Sequence, residues 1–186
     1  MSILPSLGNN PVVLDVLKKF PATVRPLLEF HEILMRGSSP LTPAEMELIA
    51  AYVSSLNGCY YCTGAHTATA EHLGVEKGLV EKLKEDIESS GVDEKMKPLL
   101  RYVRKLTTDP TGMEAIDAEA VFAAGWNEQA LHDAVQVCCL FNFMNRFIEG
   151  LGIKGDPKYF DLAGKRMAQH GYRGLMDLLG IPHDNL

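Results

Sequence analysis

The sequence predicts an all-α protein. Apolar residues recur at helical spacing through nearly the whole chain, and no run alternates apolar and polar residues as a half-buried strand would. Between the periodic segments stand helix-breaking signals: Ser39-Pro40, Asn57-Gly58, Gly74, Gly91, Asp109-Pro110, Gly150 with Gly152, and Asp156-Pro157. With 186 residues, 46% hydrophobic and 23% charged, the chain can bury one substantial core and is short for two, so a single domain over residues 1–186 is expected.

The first helix is expected over residues 11–19 with Pro11 at its start, and the second over 22–36, ended by Gly37. A third, 43–56, has a well-marked beginning: Thr42 as cap, Pro43 at the first helical position and Glu45 three residues after the cap. Its apolar positions include Ile49, Ala50, Val53 and Leu56, and it should pack antiparallel against the next helix, 59–73. Residues 76–89 interleave charges with Leu79, Val80, Leu83 and Ile87, the pattern of an amphipathic outer helix with a solvated charged face. Helices over 94–107 and 117–125 follow.

The segment 128–149 is the most apolar in the chain, carrying Val137, Cys138, Leu140, Phe141, Phe143, Phe147 and Ile148 among others. Such a helix is expected to be buried on nearly every face, in the monomer core and in an oligomer interface. Cys138 and Cys139 are read as buried core thiols, because adjacent helical residues point about 100° apart and cannot close an ordinary disulfide. Asn145 and Arg146 are its polar exceptions, and a structural ion pair is expected for Arg146. Shorter helices near 157–170 and 172–179 complete the chain.

Composition excludes some functions. A net charge of −6 without a Lys/Arg cluster argues against a nucleic-acid surface. No stretch approaches ~20 consecutive apolar residues, and MSILPSLGNNPVV lacks a basic segment followed by an apolar signal core, so no membrane association and a cytoplasmic location are expected. Four cysteines are too few for a disulfide scaffold, and in a reducing compartment a CxxC pair points to catalysis or metal binding.

The chemistry concentrates between Glu47 and His66. Cys59 and Cys62 stand at i and i+3 at a helix start, which puts their Cα atoms about 5 Å apart, within disulfide reach. His66 lies four residues past Cys62 on the same stripe. The positive helix end and a nearby imidazolium would each lower a thiol pKa. Glu47 lies on the preceding helix, and periodicity alone leaves open whether it reaches the thiols. CxxC with His66 and Glu47 could also supply four zinc ligands. Covalent haem attachment is excluded, because Thr63 rather than His follows the second cysteine. His31, His72, His132, His170 and His183 share no spacing that groups them.

The run LTPAEMELIAAYVSSLNGCYYCTGAH, with a Glu, a twelve-residue step to Cys, CxxC and His after three intervening residues, resembles the core of the AhpD-like alkylhydroperoxidases of the carboxymuconolactone decarboxylase superfamily. The later run CLFNFMNRFIEGLGI is similar to the second stretch of that superfamily's peroxidase-related branch. The resemblance covers roughly residues 40–155, leaving 1–39 and 156–186 as helical extensions that wrap the core or a neighbouring subunit. It implies an AhpD-like helical bundle, homo-oligomeric as a dimer, trimer or hexamer, and a peroxidase needing neither cofactor nor metal. It also implies that Cys62 attacks the hydroperoxide, that Cys59 resolves the product, that His66 and Glu47 relay protons, and that an external dithiol restores the thiols. The chain departs from the best-studied members at Tyr61, where they carry a His; an unperturbed Tyr, with a pKa of about 10, is a poor base near neutral pH. A relative that keeps the fold but acts without redox chemistry on a lactone or other carbon acid is the alternative within the same superfamily.

Overall fold

The computed structural model describes residues 3–183, which form ten α-helices and three single turns of 3-10 helix, with no strand among the described residues. Helix α3 (Pro43–Leu56) begins where the capping signals lie. The Thr42 side chain accepts from the Glu45 N–H at 3.2 Å, while Glu45 accepts from the Thr42 N–H at 2.7 Å. Every residue from Met46 to Ser55 is buried, so α3 is the central helix of the main core.

Gly58, at φ 70°, reverses the chain, and α4 (Tyr60–His72) packs back along α3. On its other side α4 meets α9 (Pro157–His170) closely: a Cβ on Gly164 would stand 2.8 Å from both the Ala68 Cβ and the Thr69 backbone nitrogen. Only glycine permits that approach. The core is completed by α5 (Leu79–Glu85), α6 (Met96–Thr108), α7 (Ala115–Ala123) and α8 (Glu128–Gly150), whose start is capped by Asn127 accepting from the Ala130 N–H at 2.9 Å.

Before and after this core come α1 (Val13–Lys19), α2 (Val24–Arg36) and α10 (Arg173–Leu179). Helix α10 is tied to α2 by Glu32, whose Oε2 accepts from the Tyr172 N–H at 2.8 Å and the Arg173 N–H at 3.3 Å. The two terminal segments thus close over the same side of the core. No helix among the described residues is long and apolar enough to cross a membrane.

Several sequence expectations need correction. The 76–89 helix is reduced to Leu79–Glu85, because the Asp86 carboxylate accepts from the Glu88 and Ser89 N–H groups and from the Ser89 hydroxyl, forming a turn that competes with the helix. Helix α8 is not buried all round. His132, Cys139, Phe143 and Arg146 form an exposed stripe, with Phe143 53% exposed. Cys139 is therefore a surface thiol, whereas Cys138 is buried and its pKa is pushed up to about 11 by burial. Among the described residues Arg146 makes no ion pair; it donates to the carbonyl and side-chain oxygens of Asn142, one turn earlier, at 2.6 and 3.0 Å. Apolar composition concealed the stripe, because Phe143 and Cys139 count as hydrophobic wherever they point.

Candidate active site

Cys59 is the N-cap residue of α4, extended at φ −78° and ψ 98°, and its N–H donates to the Ser54 carbonyl at 3.0 Å. The fold therefore holds Cys59 at the open end of the helix and Cys62 one turn inside it. Both are buried and both are free thiols. The Cys62 thiol donates to Cys59 Sγ; this bond is the chief reason that Cys59 ionises below the usual thiol range, with the Cys62 backbone N–H adding to it against burial and the nearby Glu149 carboxylate. The same bond, followed by burial, holds the Cys62 proton on and raises its pKa, partly offset by a hydrogen bond from Asn145. The first thiolate thus forms on Cys59. The sequence-based expectation of helix-end assistance holds there through the Cys62 N–H, and the imidazole is not among the causes.

Asn145 is 2% exposed, donates to Ser54 Oγ and accepts from the Asn57 side chain, both at 2.9 Å. It anchors the α3–α4 turn to α8 directly behind the thiols. Asn57, expected only as a helix breaker, is thus also a structural tie.

Glu47 is fully buried, and its two oxygens serve two basic side chains. Oε2 accepts from His66 Nδ1 at 2.6 Å, and Oε1 accepts from an Arg36 nitrogen at 2.7 Å, with the Tyr172 hydroxyl at 3.5 Å. Burial alone would raise the Glu47 pKa, but the attraction of His66 and Arg36 outweighs it and keeps the carboxyl below its usual range. With Nδ1 engaged by Glu47, the other nitrogen of His66 is the one left for chemistry. Arg36 already balances the Glu47 charge, so the triad is electrically neutral when His66 is neutral. No hydrogen bond joins Glu47 or His66 to either thiol among the described residues, so Glu47 meets the site through His66. Its oxygens face Arg36 and His66, and no group of three or more His, Cys, Asp or Glu side chains suited to a metal ion occurs among the described residues.

Cys62 and His66 line a cavity of about 480 Å³ whose other walls are largely apolar, contributed by α1, α2, α8, α9 and α10 as well as α4. Cys59 does not line it. Phe141 packs edge-on against His66 at 4.3 Å between ring centroids, and Tyr61 meets Tyr159 with hydroxyl oxygens 2.7 Å apart.

A further wall residue, His31, was unmarked by any sequence spacing. It is 3% exposed, its Nδ1 donates to the Leu27 carbonyl at 2.7 Å, and its ring leans on Tyr172 at 4.9 Å. Burial lowers its pKa from 6.5 to about 4, partly opposed by the Leu27 bond. The unfolded chain therefore binds a proton near pH 6.5 that the folded chain refuses until about pH 4. Stability should fall as pH drops through that window, by up to about 3 kcal/mol at 1.36 kcal/mol per pKa unit. Melting temperatures from pH 7.5 to 4.5 test this: His31→Leu should flatten the decline, and an identical decline in the variant would assign it elsewhere.

The four residues expected from sequence come together in two adjoining pairs, Cys59 with Cys62 and Glu47 with His66. Arg36, Tyr172 and His31 come from the segments outside the motif, and no local signal relates them to it. Asn145 was legible in part, as the polar residue on the stripe of α8 that also carries Cys138, Phe141 and Ile148.

The model of the carboxymuconolactone decarboxylase family matches residues 21–94, a span that includes Glu47, both cysteines and His66. A solved peroxidase-related protein of uncharacterized function from Silicibacter sp. TM1040 matches with a TM-score of 0.74 and 28% identity, over 84% of this chain and 82% of that one. The chain is thus similar to the carboxymuconolactone decarboxylase family over residues 21–94 and, over most of its length, to a peroxidase-related protein of known structure.

Two further structures share the AhpD-like fold. One is described as an AhpD core and uncharacterized peroxidase-related protein, from Ralstonia eutropha JMP134, with a TM-score of 0.72 and 23% identity over 81% of this chain and 78% of that one. The other is a protein of unknown function from Agrobacterium tumefaciens, with a TM-score of 0.67 and 19% identity over 76% of this chain and 95% of that one. No curated protein matches the sequence. In this AhpD-like chain the motif lies on α3, α4 and the turn between them, and the helices outside the motif supply most of the cavity.

Proposed function

We propose that the protein is a thiol-dependent peroxidase that reduces hydrogen peroxide or organic hydroperoxides through a Cys59/Cys62 dithiol–disulfide cycle. The observation that carries this reading is that Cys62, hydrogen-bonded to Cys59, lines the same apolar cavity as His66. Burial favours Cys62 over Cys59 as the residue that meets substrate, while the electrostatics favour Cys59 as the first thiolate. The two facts combine into one step. The Cys59 thiolate takes the Cys62 proton, and the Cys62 sulfur attacks the distal peroxide oxygen.

The O–O bond breaks, Cys62 becomes a sulfenic acid, and the leaving oxygen takes up the proton first lost by Cys59 and held at the Glu47–His66 pair or passed through water. The Cys59 thiol then condenses with the sulfenic acid, forming the disulfide and releasing water. Overall, two thiols and one hydroperoxide give one disulfide, one alcohol and one water. An external dithiol reopens the disulfide by exchange.

The exposed α8 stripe with Phe143 and its stacked neighbour Phe147 is the face on which we place assembly of the expected homo-oligomer. The experiment that tests the function is anaerobic thiol titration: one equivalent of hydroperoxide should remove two thiols from metal-free protein. A non-redox relative acting on a lactone or carbon acid would lose none.

A further inference from the structure

The thiolate chemistry leaves one event without a partner. When Cys62 attacks a hydroperoxide, the O–O electron pair moves onto the leaving oxygen, which becomes an alkoxide or hydroxide, the conjugate base of an acid about as weak as water. Stabilising a charge that appears only in the transition state calls for a hydrogen-bond donor already aimed at it.

The cavity wall holds a donor that no other part of the site uses. The hydroxyls of Tyr61 and Tyr159 lie 2.7 Å apart, and the Val13 N–H donates to Tyr61 at 3.5 Å. Two hydroxyls carry two protons, and the bond between them consumes one. The second proton has no acceptor among the described residues, and both tyrosines line the cavity with Cys62. The pair is held firmly. Phe160 packs edge-on against both rings, at 5.6 and 6.0 Å, and the Asp156 side chain accepts from the Tyr159 N–H at 2.9 Å. Gly155 lets this cluster close: a Cβ there would stand 2.5 Å from Phe160 and 3.1 Å from Tyr61.

Position also fits. Along α4, Tyr61 and His66 point roughly 140° apart about the helix axis with Cys62 between them, at about 100° per residue. The base is thus on one side of the sulfur and the hydroxyl pair on the other. Both tyrosines have pKa values raised above the ordinary range, chiefly by burial, so both remain protonated donors across the working pH range.

We propose that the Tyr61–Tyr159 hydroxyl pair donates a hydrogen bond to the oxygen that leaves when Cys62 attacks a hydroperoxide. The proposal rests on the peroxidase reading and assigns a catalytic role to the residue that departs from the better-known AhpD pattern. No net proton is lost by the pair: the leaving oxygen is neutralised by the proton held at the Glu47–His66 pair, and the tyrosines return to their starting bond.

The test compares two oxidants in single turnover, with loss of the first thiol as the readout. An alkyl hydroperoxide must expel an alkoxide, whereas a peroxy acid expels a carboxylate, whose pKa of about 4 needs little help. Either single Tyr→Phe variant leaves one hydroxyl able to donate, so the decisive protein is the double variant Tyr61→Phe/Tyr159→Phe. It should oxidise about tenfold or more slowly with tert-butyl hydroperoxide but less than about threefold more slowly with peroxyacetic acid, and each single variant should show the same selectivity at smaller size. Equal slowing with both oxidants, or none with either, in variants that melt cooperatively would overturn the assignment while leaving the peroxidase reading intact. Wild-type protein inert to both oxidants would overturn both together.

Discussion

Under the proposed cycle, Cys62→Ser should abolish hydroperoxide consumption, while Cys59→Ser should react once and stop with Cys62 held as a sulfenic acid. The asymmetry follows from placement. Cys62 lines the cavity, whereas Cys59 is fully buried at the α4 cap and reaches substrate only through its neighbour. In the proposed cycle, removing Cys62 therefore removes the group that meets the peroxide. Removing Cys59 takes away the resolving thiol and also the thiolate that accepts the Cys62 proton, so its single turnover should be slower than wild type as well as incomplete. Mass spectrometry after one equivalent of peroxide distinguishes the species: a gain of one oxygen on Cys62 in Cys59→Ser, and a disulfide in wild type. Wild-type turnover by both variants would remove the dithiol from the mechanism.

Glu47→Gln is expected to destabilise the fold by about 3–5 kcal/mol, the usual cost of removing one partner from a buried ion pair. The substitution barely changes shape, so packing loss cannot account for such a figure. What changes is that the Arg36 guanidinium, whose side chain is only 12% exposed, loses its counter-charge, and His66 Nδ1 faces an amide instead of a carboxylate. The companion variant Arg36→Met/Glu47→Gln should recover part of the loss because no unpaired charge remains buried. Urea unfolding of the two variants measures the difference; a Glu47→Gln protein as stable as wild type would contradict the buried triad.

Most helices and the juxtaposition of Cys59, Cys62 and His66 were legible because their signals are local. Thr42, Pro43 and Glu45 specify the start of α3 within four positions, and CxxC with His66 reads directly as one stripe of one helix. Glu47 required tertiary structure, since nothing in its neighbourhood distinguishes a fully buried carboxylate from the half-buried Glu45 two residues earlier. Arg36, on α2, and Tyr172, at the cap of α10, reach Glu47 from 11 and 125 positions away, and no local signal relates either to it. The same holds for Tyr159, which meets Tyr61 across 98 positions. Where local reading failed, the cause is also identifiable: Asp86 used its side chain to leave the helix, and the exposed stripe of α8 carries apolar residues that composition assigns to the core.

The thiols illustrate a further limit. Helix geometry indicates that Cys59 and Cys62 can interact, and it does so correctly. Which of them ionises first depends on which sulfur receives the hydrogen bonds, and that is set by the extended backbone of Cys59 at the cap. The division of labour between the two cysteines is thus a tertiary property built on a local motif.

The most direct measurement is the thiol count of metal-free wild-type protein under anaerobic conditions, before and after one equivalent of hydroperoxide, with the modified peptides identified. Loss of two thiols as a Cys59–Cys62 disulfide, reversed by an added dithiol and with Cys138 and Cys139 unchanged, is the predicted result. Retention of both motif thiols, or oxidation confined to the exposed Cys139, would contradict it.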